Sequence, residues 1–187
     1  MNRFIFANPK LCTGCDSCVD ACAEAHKAAG LQPQSRITIV RNGDISTPIA
    51  CRHCDNAPCA KICPVNAITM GDSAVELDEA NCIGCKLCAY VCPFGVISFS
   101  GVAPIKGGAS NQDQSSTPEA IKAVGKVAVK CDLCDFSEKG PECIRACATK
   151  ALFLVDAKGM RKSSNAKRKA AVQNISSLME NSTEQQV

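Results

Sequence analysis

The stretch Cys82-Ile83-Gly84-Cys85-Lys86-Leu87-Cys88-Ala89-Tyr90-Val91-Cys92-Pro93 decides the fold of this chain, because its four cysteines follow the spacing C-x2-C-x2-C-x3-C. A group near the N-terminus has the same spacing, and two further groups join a C-x2-C to a later C-x3-C. In chain order, groups one to four are Cys12, Cys15, Cys18, Cys22; Cys51, Cys54, Cys59, Cys63; Cys82, Cys85, Cys88, Cys92; and Cys131, Cys134, Cys143, Cys147. The alternation of the two spacings is an internal repeat, and it predicts a duplicated two-group unit.

The residues that follow the cysteines repeat as well. Pro64-Val65-Asn66-Ala67-Ile68 comes after group two, and Pro93-Phe94-Gly95-Val96-Ile97 comes after group three. Asn66 and Gly95 hold the same place, and both residue types tolerate a left-handed backbone. We therefore predict that each group forms a loop, a short helix through its third and fourth cysteines, a turn and a short strand. The strand candidates are Ile37–Val40, Val75–Leu77, Val96–Phe99, Val127–Val129 and Leu152–Val155.

Cysteine thiols are the most abundant groups in this chain that could stabilise its fold, by cross-linking or by binding metals. Its 187 residues include 16 cysteines but only six Phe, one Tyr and no Trp, so large side chains contribute little to a core. Sixteen cysteines fit disulfides, zinc sites or iron–sulfur clusters. Disulfides need an oxidising compartment, and residues 1–10 contain neither a secretory apolar stretch nor a twin-arginine pair. We therefore expect a reducing cytoplasm, in which the thiols bind metals.

The cysteine spacing favours [4Fe–4S] clusters over zinc. Zinc sites favour two separated C-x2-C pairs, whereas three cysteines at this spacing hold a cubane cluster from one loop and the fourth serves a second cluster. Gly14 and Gly84 would let the backbone approach the cluster closely. With four ligands each, 16 cysteines predict four [4Fe–4S] clusters. Each loaded site carries a charge of −2, so the formal net charge changes from +3 to about −5, and nucleic acid is not an expected partner.

Three segments call for separate interpretation. Residues 107–117 are rich in Gly, Ser, Asn and Gln, and are predicted to form a flexible insertion. Residues 157–187 contain a basic cluster followed by apolar residues at helical spacing over Ala171–Met179, which predicts a tail that is either solvated or docks on a partner. We expect residues 1–156 to form the cluster-binding domain. Leu87–Ile105 lacks charges, but its prolines, glycines and cysteines argue against a membrane span.

No group of residues competes with the cysteines for a catalytic role, and we predict a non-catalytic protein. His53 lies within group two, where either a hydrogen bond to a cluster or solvation in the loop accounts for it. Gly-rich nucleotide-binding patterns of the required spacing do not occur. Four basic residues flank cysteines, and they either raise cluster potentials or are solvated surface charges. They are Arg52, Lys61, Lys86 and Arg145.

Several runs carry a resemblance to a known family. They are Met1-Asn2-Arg3-Phe4, Cys51-Arg52-His53-Cys54-Asp55-Asn56-Ala57-Pro58-Cys59, Pro64-Val65-Asn66-Ala67-Ile68 and Lys130-Cys131-Asp132-Leu133-Cys134. Over residues 1–156 the chain resembles the four-cluster electron-transfer subunits paired with molybdopterin enzymes, particularly those of formate hydrogenlyase and hydrogenase-4 complexes. The resemblance implies an α+β fold of two pseudo-symmetric, ferredoxin-like double-cluster units with short strands, short helices and little regular secondary structure. Ala148 departs from the proline that usually follows the last cysteine.

The resemblance also implies which cysteines share a cluster, because groups one and four fold together in that family, as do groups two and three. We number the implied clusters 1 to 4. Their ligands are Cys12, Cys15, Cys18 and Cys147 for cluster 1; Cys131, Cys134, Cys143 and Cys22 for cluster 2; Cys51, Cys54, Cys59 and Cys92 for cluster 3; and Cys82, Cys85, Cys88 and Cys63 for cluster 4.

The function that the resemblance implies is electron transfer between two enzymes. The expected partners are a molybdopterin formate dehydrogenase and the iron–sulfur subunits of a [NiFe]-hydrogenase. The expected location is the cytoplasm, with peripheral binding to the inner face of the membrane only through the complex. Two alternatives remain: a subunit of another molybdopterin oxidoreductase or carbon dioxide reductase, and an iron–sulfur accessory protein for formate dehydrogenase maturation.

Overall fold

The computed structural model describes residues 2–101 and 126–183, and its elements are short. The predicted insertion at 107–117 lies outside these residues. In chain order the elements are β1 (Phe4–Ala7), α1 (Ser17–Ala28), β2 (Ile37–Asn42), β3 (Ile45–Ala50), α2 (Pro58–Lys61), β4 (Ile68–Met70), β5 (Val75–Leu77), a 3₁₀ turn (Glu79–Asn81), α3 (Leu87–Val91), β6 (Ser98–Ser100), β7 (Val127–Val129), α4 (Glu142–Arg145), β8 (Leu152–Val155) and α5 (Ala157–Thr183).

The strands of the described residues form four two-stranded sheets: β1 with β8, β2 with β3, β4 with β5, and β6 with β7. The pairs β2–β3, β4–β5 and β6–β7 are antiparallel, with Ile37 opposite Ala50, Ile68 opposite Leu77 and Ser98 opposite Val129. Two of these sheets join strands that are distant in sequence. The sheets therefore bring the N-terminal and C-terminal cysteine groups into one body.

The sequence predictions for strands are largely confirmed. β5, β7 and β8 have the predicted bounds, β2 extends two residues further, and β6 begins two residues later than predicted. Strands β1, β3 and β4 were not predicted. β3 contains Pro48, which cannot donate to a strand ladder and argues locally against a strand.

The prediction of a helix through the third and fourth cysteines is right for α1 only, which contains Cys18 and Cys22. Helices α2, α3 and α4 contain the third cysteine of their groups and end before the fourth. In groups two and three a proline follows the fourth cysteine, and the residue before a proline avoids helical backbone. The left-handed turns predicted at Asn66 and Gly95 are confirmed, with φ of 51° and 61°.

Cysteines make up a large part of two buried clusters of side chains. The first, which we call core A, holds cysteines of groups one and four together with Cys51, around Ile5, Ile37 and Leu152. The second, core B, holds Cys59 and Cys88 around Ile68, Val75 and Ile97. Few large apolar residues belong to either core, as the composition predicts.

The C-terminal residues from Val155 onward form a unit separate from Met1–Leu154. The unit contains α5, whose side chains are exposed at positions 158–176. The predicted amphipathic helix at Ala171–Met179 is therefore part of a helix that begins directly after Asp156, whose carboxylate accepts a hydrogen bond from the Gly159 N–H at 2.6 Å. Lysine and arginine are good helix formers, which explains why the basic stretch is helical too.

A search of residues 2–101 and 126–183 finds no helix with the length and apolarity needed to cross a bilayer. The described part of Leu87–Ile105 contains the five-residue helix α3 and the three-residue strand β6.

Candidate metal centres

The loop of group one and the last cysteine of the chain line the same cavity. Its walls include Cys12, Cys15, Cys18 and Cys147, with Ile39 of β2, Pro48 of β3 and Leu152 of β8. Burial, with smaller contributions from the neighbouring Cys12 and Cys147 thiolates, raises the pKa of Cys18 to about 11. These four thiols are the ligands predicted for cluster 1.

A second cavity has the same construction in the other half of the repeat. Cys82, Cys85 and Cys88 line it together with Cys63 of group two, and Ile68, Phe99 and Ala128 complete its walls. Burial raises the pKa of Cys88 to about 11, followed by repulsion from Cys82. These four thiols are the ligands predicted for cluster 4.

The two loops also share an unusual backbone. Gly14 and Gly84 have φ of 71° and 68°, and Asp16 and Lys86, two residues later, have φ of 61° and 69°. Left-handed residues at such intervals form concave arrangements of backbone N–H groups that bind anions, including iron–sulfur clusters. A Cβ atom on Gly14 would lie 3.0 Å from the Ser46 Oγ, so glycine is required there for space as well as conformation.

The fourth cysteines of groups one and three lie beside the groups predicted to use them. Burial raises the pKa of Cys143, and repulsion from Cys22 is the next cause. Burial raises the pKa of Cys134 to about 11, and Cys22 contributes there too. Burial and Cys51 raise the pKa of Cys54, and Cys92 adds to the shift.

Thiols predicted to belong to neighbouring clusters also interact. Cys18 raises the pKa of Cys143, after larger contributions from burial, Cys22 and Cys134. Cys59 raises the pKa of Cys88, after burial and Cys82. Contacts of this kind are expected where two clusters exchange their fourth ligands.

Backbone N–H groups point at sulfur atoms from all four groups. Arg36 donates to the Cys22 Sγ at 3.3 Å, His53 to the Cys51 Sγ at 3.4 Å, Ala128 to the Cys82 Sγ at 3.4 Å and Ala151 to the Cys147 Sγ at 3.3 Å. Such bonds favour the thiolate, which is the form that binds metal.

His53 supplies an independent indication that a sulfur acceptor belongs at this site. It is 1% exposed, which excludes solvation in the loop. Its Nδ1 accepts a hydrogen bond from the Val75 N–H at 3.0 Å, so the proton of the neutral ring is on Nε2. That Nε2 is buried and has no hydrogen-bond partner among the described residues. A buried donor needs an acceptor, and a [4Fe–4S] cluster bound by the adjacent Cys51 and Cys54 would provide sulfur atoms for this role.

A buried polar network lies beside the predicted ligands of cluster 2, and the sequence patterns did not reveal it. The Asp132 carboxylate accepts from His26 Nε2 at 3.0 Å, and Arg36 donates to the Glu79 carboxylate at 2.5 Å. Burial lowers the pKa of His26, but Asp132 and Cys22 together outweigh burial and raise that pKa to about 9. The same histidine reaches Cys22, 3.7 Å from Nδ1 to Sγ. Nothing local in the sequence marks these pairs, because Arg36 and Glu79 are 43 residues apart.

The four basic residues that flank cysteines have different surroundings. Arg52 is half-buried, and its guanidinium lies over the rings of Phe4, Phe6 and Phe94 at 5.0 to 5.9 Å. Lys61 bonds Asn56, Lys86 is exposed, and Arg145 pairs with Glu142 on the surface. Only Arg52 among them combines burial with a position next to a predicted ligand.

Comparison with known proteins assigns the class. A model of the 4Fe–4S dicluster domain matches residues 49–96, and a model of the 4Fe–4S binding domain matches residues 9–25. Together with the converging thiols, these matches define a protein of the [4Fe–4S] class, and the zinc interpretation receives no support.

Relatives along almost the whole chain narrow this class to one family. Hydrogenase-4 component A of Escherichia coli (strain K12) is 43% identical over 91% of this chain and 91% of its own length. Formate hydrogenlyase subunit 2 of the same organism is 45% identical over 90% of this chain and 89% of its own. Electron transport protein HydN, also from that organism, is 39% identical over 90% and 97%. The chain belongs to the family of iron–sulfur proteins that includes hydrogenase-4 component A and formate hydrogenlyase subunit 2.

Proposed function

We propose that this chain carries four [4Fe–4S] clusters and passes electrons from a molybdopterin formate dehydrogenase to a [NiFe]-hydrogenase, as a non-catalytic subunit of a formate hydrogenlyase-type complex. One observation carries the proposal: eight of the cysteines converge in two sets of four, each set drawn from two groups, in a chain whose relatives are named as parts of hydrogenase-4 and formate hydrogenlyase. Each cluster, when bound, accepts and releases single electrons. The chain's own part is to hold the clusters, exclude water and set their potentials.

The ligand sets of clusters 1 to 4 are part of this proposal. The two cavities support clusters 1 and 4. The positions of Cys22 beside Cys143 and of Cys92 beside Cys54 support clusters 2 and 3. Core A contains cysteines of groups one and four together with Cys51, and core B contains cysteines of groups two and three. Apart from Cys51, this division supports two double-cluster units related by pseudo-symmetry within residues 1–156.

Exposure divides the proposed clusters into an outer and an inner pair. Of the 16 cysteines, Cys15 and Cys85 are exposed, and they occupy the same position in groups one and three. They are ligands of clusters 1 and 4. All four ligands of cluster 2 are buried, as are Cys51 and Cys59 of cluster 3. We therefore place electron entry and exit at clusters 1 and 4, with clusters 2 and 3 between them.

The proposed location is the cytoplasm, with the chain held at the inner face of the membrane by its complex. Residues 157–187 would then be a basic and amphipathic tail outside the cluster domain. A second candidate function is electron transfer for another oxidoreductase or for formate dehydrogenase maturation. The relative HydN favours it, because its name states electron transport and no complex.

The test is anaerobic affinity purification of the tagged full chain from its native host, with identification of the co-purifying proteins and assays for iron, molybdenum, tungsten and nickel. Recovery of a molybdopterin or tungstopterin dehydrogenase together with nickel is the expected result. Recovery of the dehydrogenase without nickel or hydrogenase would move the function to the second candidate. A tagged chain ending at Asp156 is the matched variant, and it shows whether the tail contributes to recovery of either partner.

A further inference from the structure

Lys130 is a lysine buried between the two cores of the protein. It is 1% exposed, and its Nζ donates to the Val75 carbonyl at 2.5 Å and to the Cys131 carbonyl at 2.8 Å. Val75 belongs to core B and Cys131 to core A. One ammonium group therefore joins the two halves of the cluster domain.

Among the residues that the structure describes, no carboxylate pairs with this ammonium group. Within residues 2–101 and 126–183, the ion pairs of the buried residues use other partners: Asp132 contacts His26 at 3.0 Å and Arg36 at 3.7 Å, and Glu79 contacts Arg36. Carbonyl groups satisfy hydrogen bonds but carry no net charge. Burying an ammonium without a counter-charge is strongly destabilising, so the balancing negative charge is expected from a bound group.

Thiols predicted to bind different clusters lie within the field of Lys130. Burial and Cys51 raise the pKa of Cys59, a predicted ligand of cluster 3, and Lys130 opposes the rise. Burial raises the pKa of Cys131, a predicted ligand of cluster 2, and Lys130 again opposes it. Lys130 thus favours negative charge on ligands of both inner clusters.

We propose that Lys130 is a positioning residue for electron transfer between the two halves, where its buried positive charge stabilises the reduced forms of clusters 2 and 3. The proposal rests on the proposed function. In the step concerned, one electron leaves one inner cluster, which is oxidised, and reduces the other. The step moves one electron, and no bond forms or breaks. The reduced state is therefore stabilised on clusters 2 and 3, where an electron passes from one core to the other.

The test is an anaerobic potentiometric titration of the loaded full chain, followed by electron paramagnetic resonance. Lys130→Met and Lys130→Gln remove the charge, and the glutamine retains N–H donors for the two carbonyls. Lys130→Arg retains the charge. Lys61→Met is the matched control, because it removes an exposed charge next to ligands of clusters 3 and 4.

We expect the neutral variants to lower the reduction equilibrium constants of clusters 2 and 3 by about tenfold, which is 59 mV for a one-electron couple. One unit charge at about 10 Å and an effective dielectric constant near 20 gives an effect of about this size. Clusters 1 and 4, which have exposed ligands, should shift less than clusters 2 and 3. Lys130→Arg retains the charge and Lys61→Met removes a charge that solvent screens, so both should change every cluster less than about twofold.

Equal potentials in the neutral variants and the unmodified chain would overturn the proposal, as would the same shift in Lys130→Arg. If neither neutral variant retains iron, full loading of Lys130→Arg supports a requirement for charge, and equal iron loss in all three variants contradicts it. Iron content and the number of reducible centres in the unmodified chain test the four-cluster function separately. Failure of the Lys130 proposal is therefore distinguishable from failure of the proposed function.

Discussion

Replacing Cys22 with alanine should damage a cluster built mainly by residues more than a hundred positions away. Cys22 belongs to group one by sequence, but its thiol interacts with Cys134 and Cys143 of group four. It is 4% exposed, so an alanine leaves a buried space where the predicted ligand of cluster 2 stood. We expect loss of cluster 2, which lowers the iron content from about 16 to about 12 atoms per chain.

The assay compares three variants, each purified anaerobically, by iron content and by paramagnetic resonance of the reduced protein. Cys143→Ala removes another ligand of cluster 2, and Cys12→Ala removes a ligand of cluster 1. Cys22→Ala should lack the same signal as Cys143→Ala and retain the signal that Cys12→Ala lacks. This comparison needs no earlier assignment of signals to clusters.

The opposite pattern would refute the crossed ligand sets. If Cys22→Ala and Cys12→Ala lack the same signal, group one supplies a cluster by itself. Cys92→Ala repeats the test in the other half, where it should share its missing signal with Cys51→Ala and not with Cys82→Ala.

Three further predictions concern the surroundings of the clusters. Arg36→Met leaves the buried Glu79 carboxylate without its arginine and should lower the free energy of unfolding by about 3 kcal/mol, measured as loss of cluster absorbance in urea. Adding Glu79→Gln to the Arg36→Met chain should recover part of this free energy, and no recovery would contradict the pairing of Arg36 with Glu79. His53→Phe removes a buried donor and should lower the potential of cluster 3 by about 60 mV, or about 1.4 kcal/mol; an unchanged potential in a redox titration would show that its Nε2 does not bond the cluster. Deleting residues 157–187 should leave about 16 iron atoms per chain, because α5 is exposed over positions 158–176; loss of iron would mean that the helix supports the cluster domain.

The features that the sequence predicted well are those with local causes. The spacing of group three fixes how many thiols one loop can present, and the turns at Asn66 and Gly95 follow from the backbone preferences of these two residues. The sequence does not predict strand β3, because Pro48 is a local signal against a strand. β3 pairs with β2 because the two-residue connection Gly43-Asp44 places Asn42 opposite Ile45. Helices α2 and α3 are shorter than predicted because a proline follows the fourth cysteine of their groups and disfavours helical backbone at that cysteine.

The features that the sequence did not predict depend on contacts between distant residues. Lys130 is adjacent to a recognised cysteine motif, but its carbonyl partner on Val75 is 55 residues away, and only folding shows that the lysine is buried. Similarly, the sequence allows two interpretations of His53, and its burial excludes solvation in the loop. The charge and burial around a cysteine ligand depend on the whole fold, whereas the cysteine itself can be identified as a ligand from the spacing within about a dozen residues.

Repeated cysteine groups can pass electrons in a defined order only if their surroundings differ. Four clusters with identical ligands and identical surroundings would have similar potentials, and electrons would distribute among them without preference. The repeat retains the ligand spacing but changes what surrounds it: the second cysteine of groups one and three is exposed, whereas group two has the buried His53 and group four follows the buried Lys130. Hydrogen bonds and positive charge near sulfur raise a cluster potential, and solvent exposure changes it as well. With the proposed ligand sets, these changes fall on the inner pair, where they would favour electrons on clusters 2 and 3, and exchange with partner proteins would take place at clusters 1 and 4.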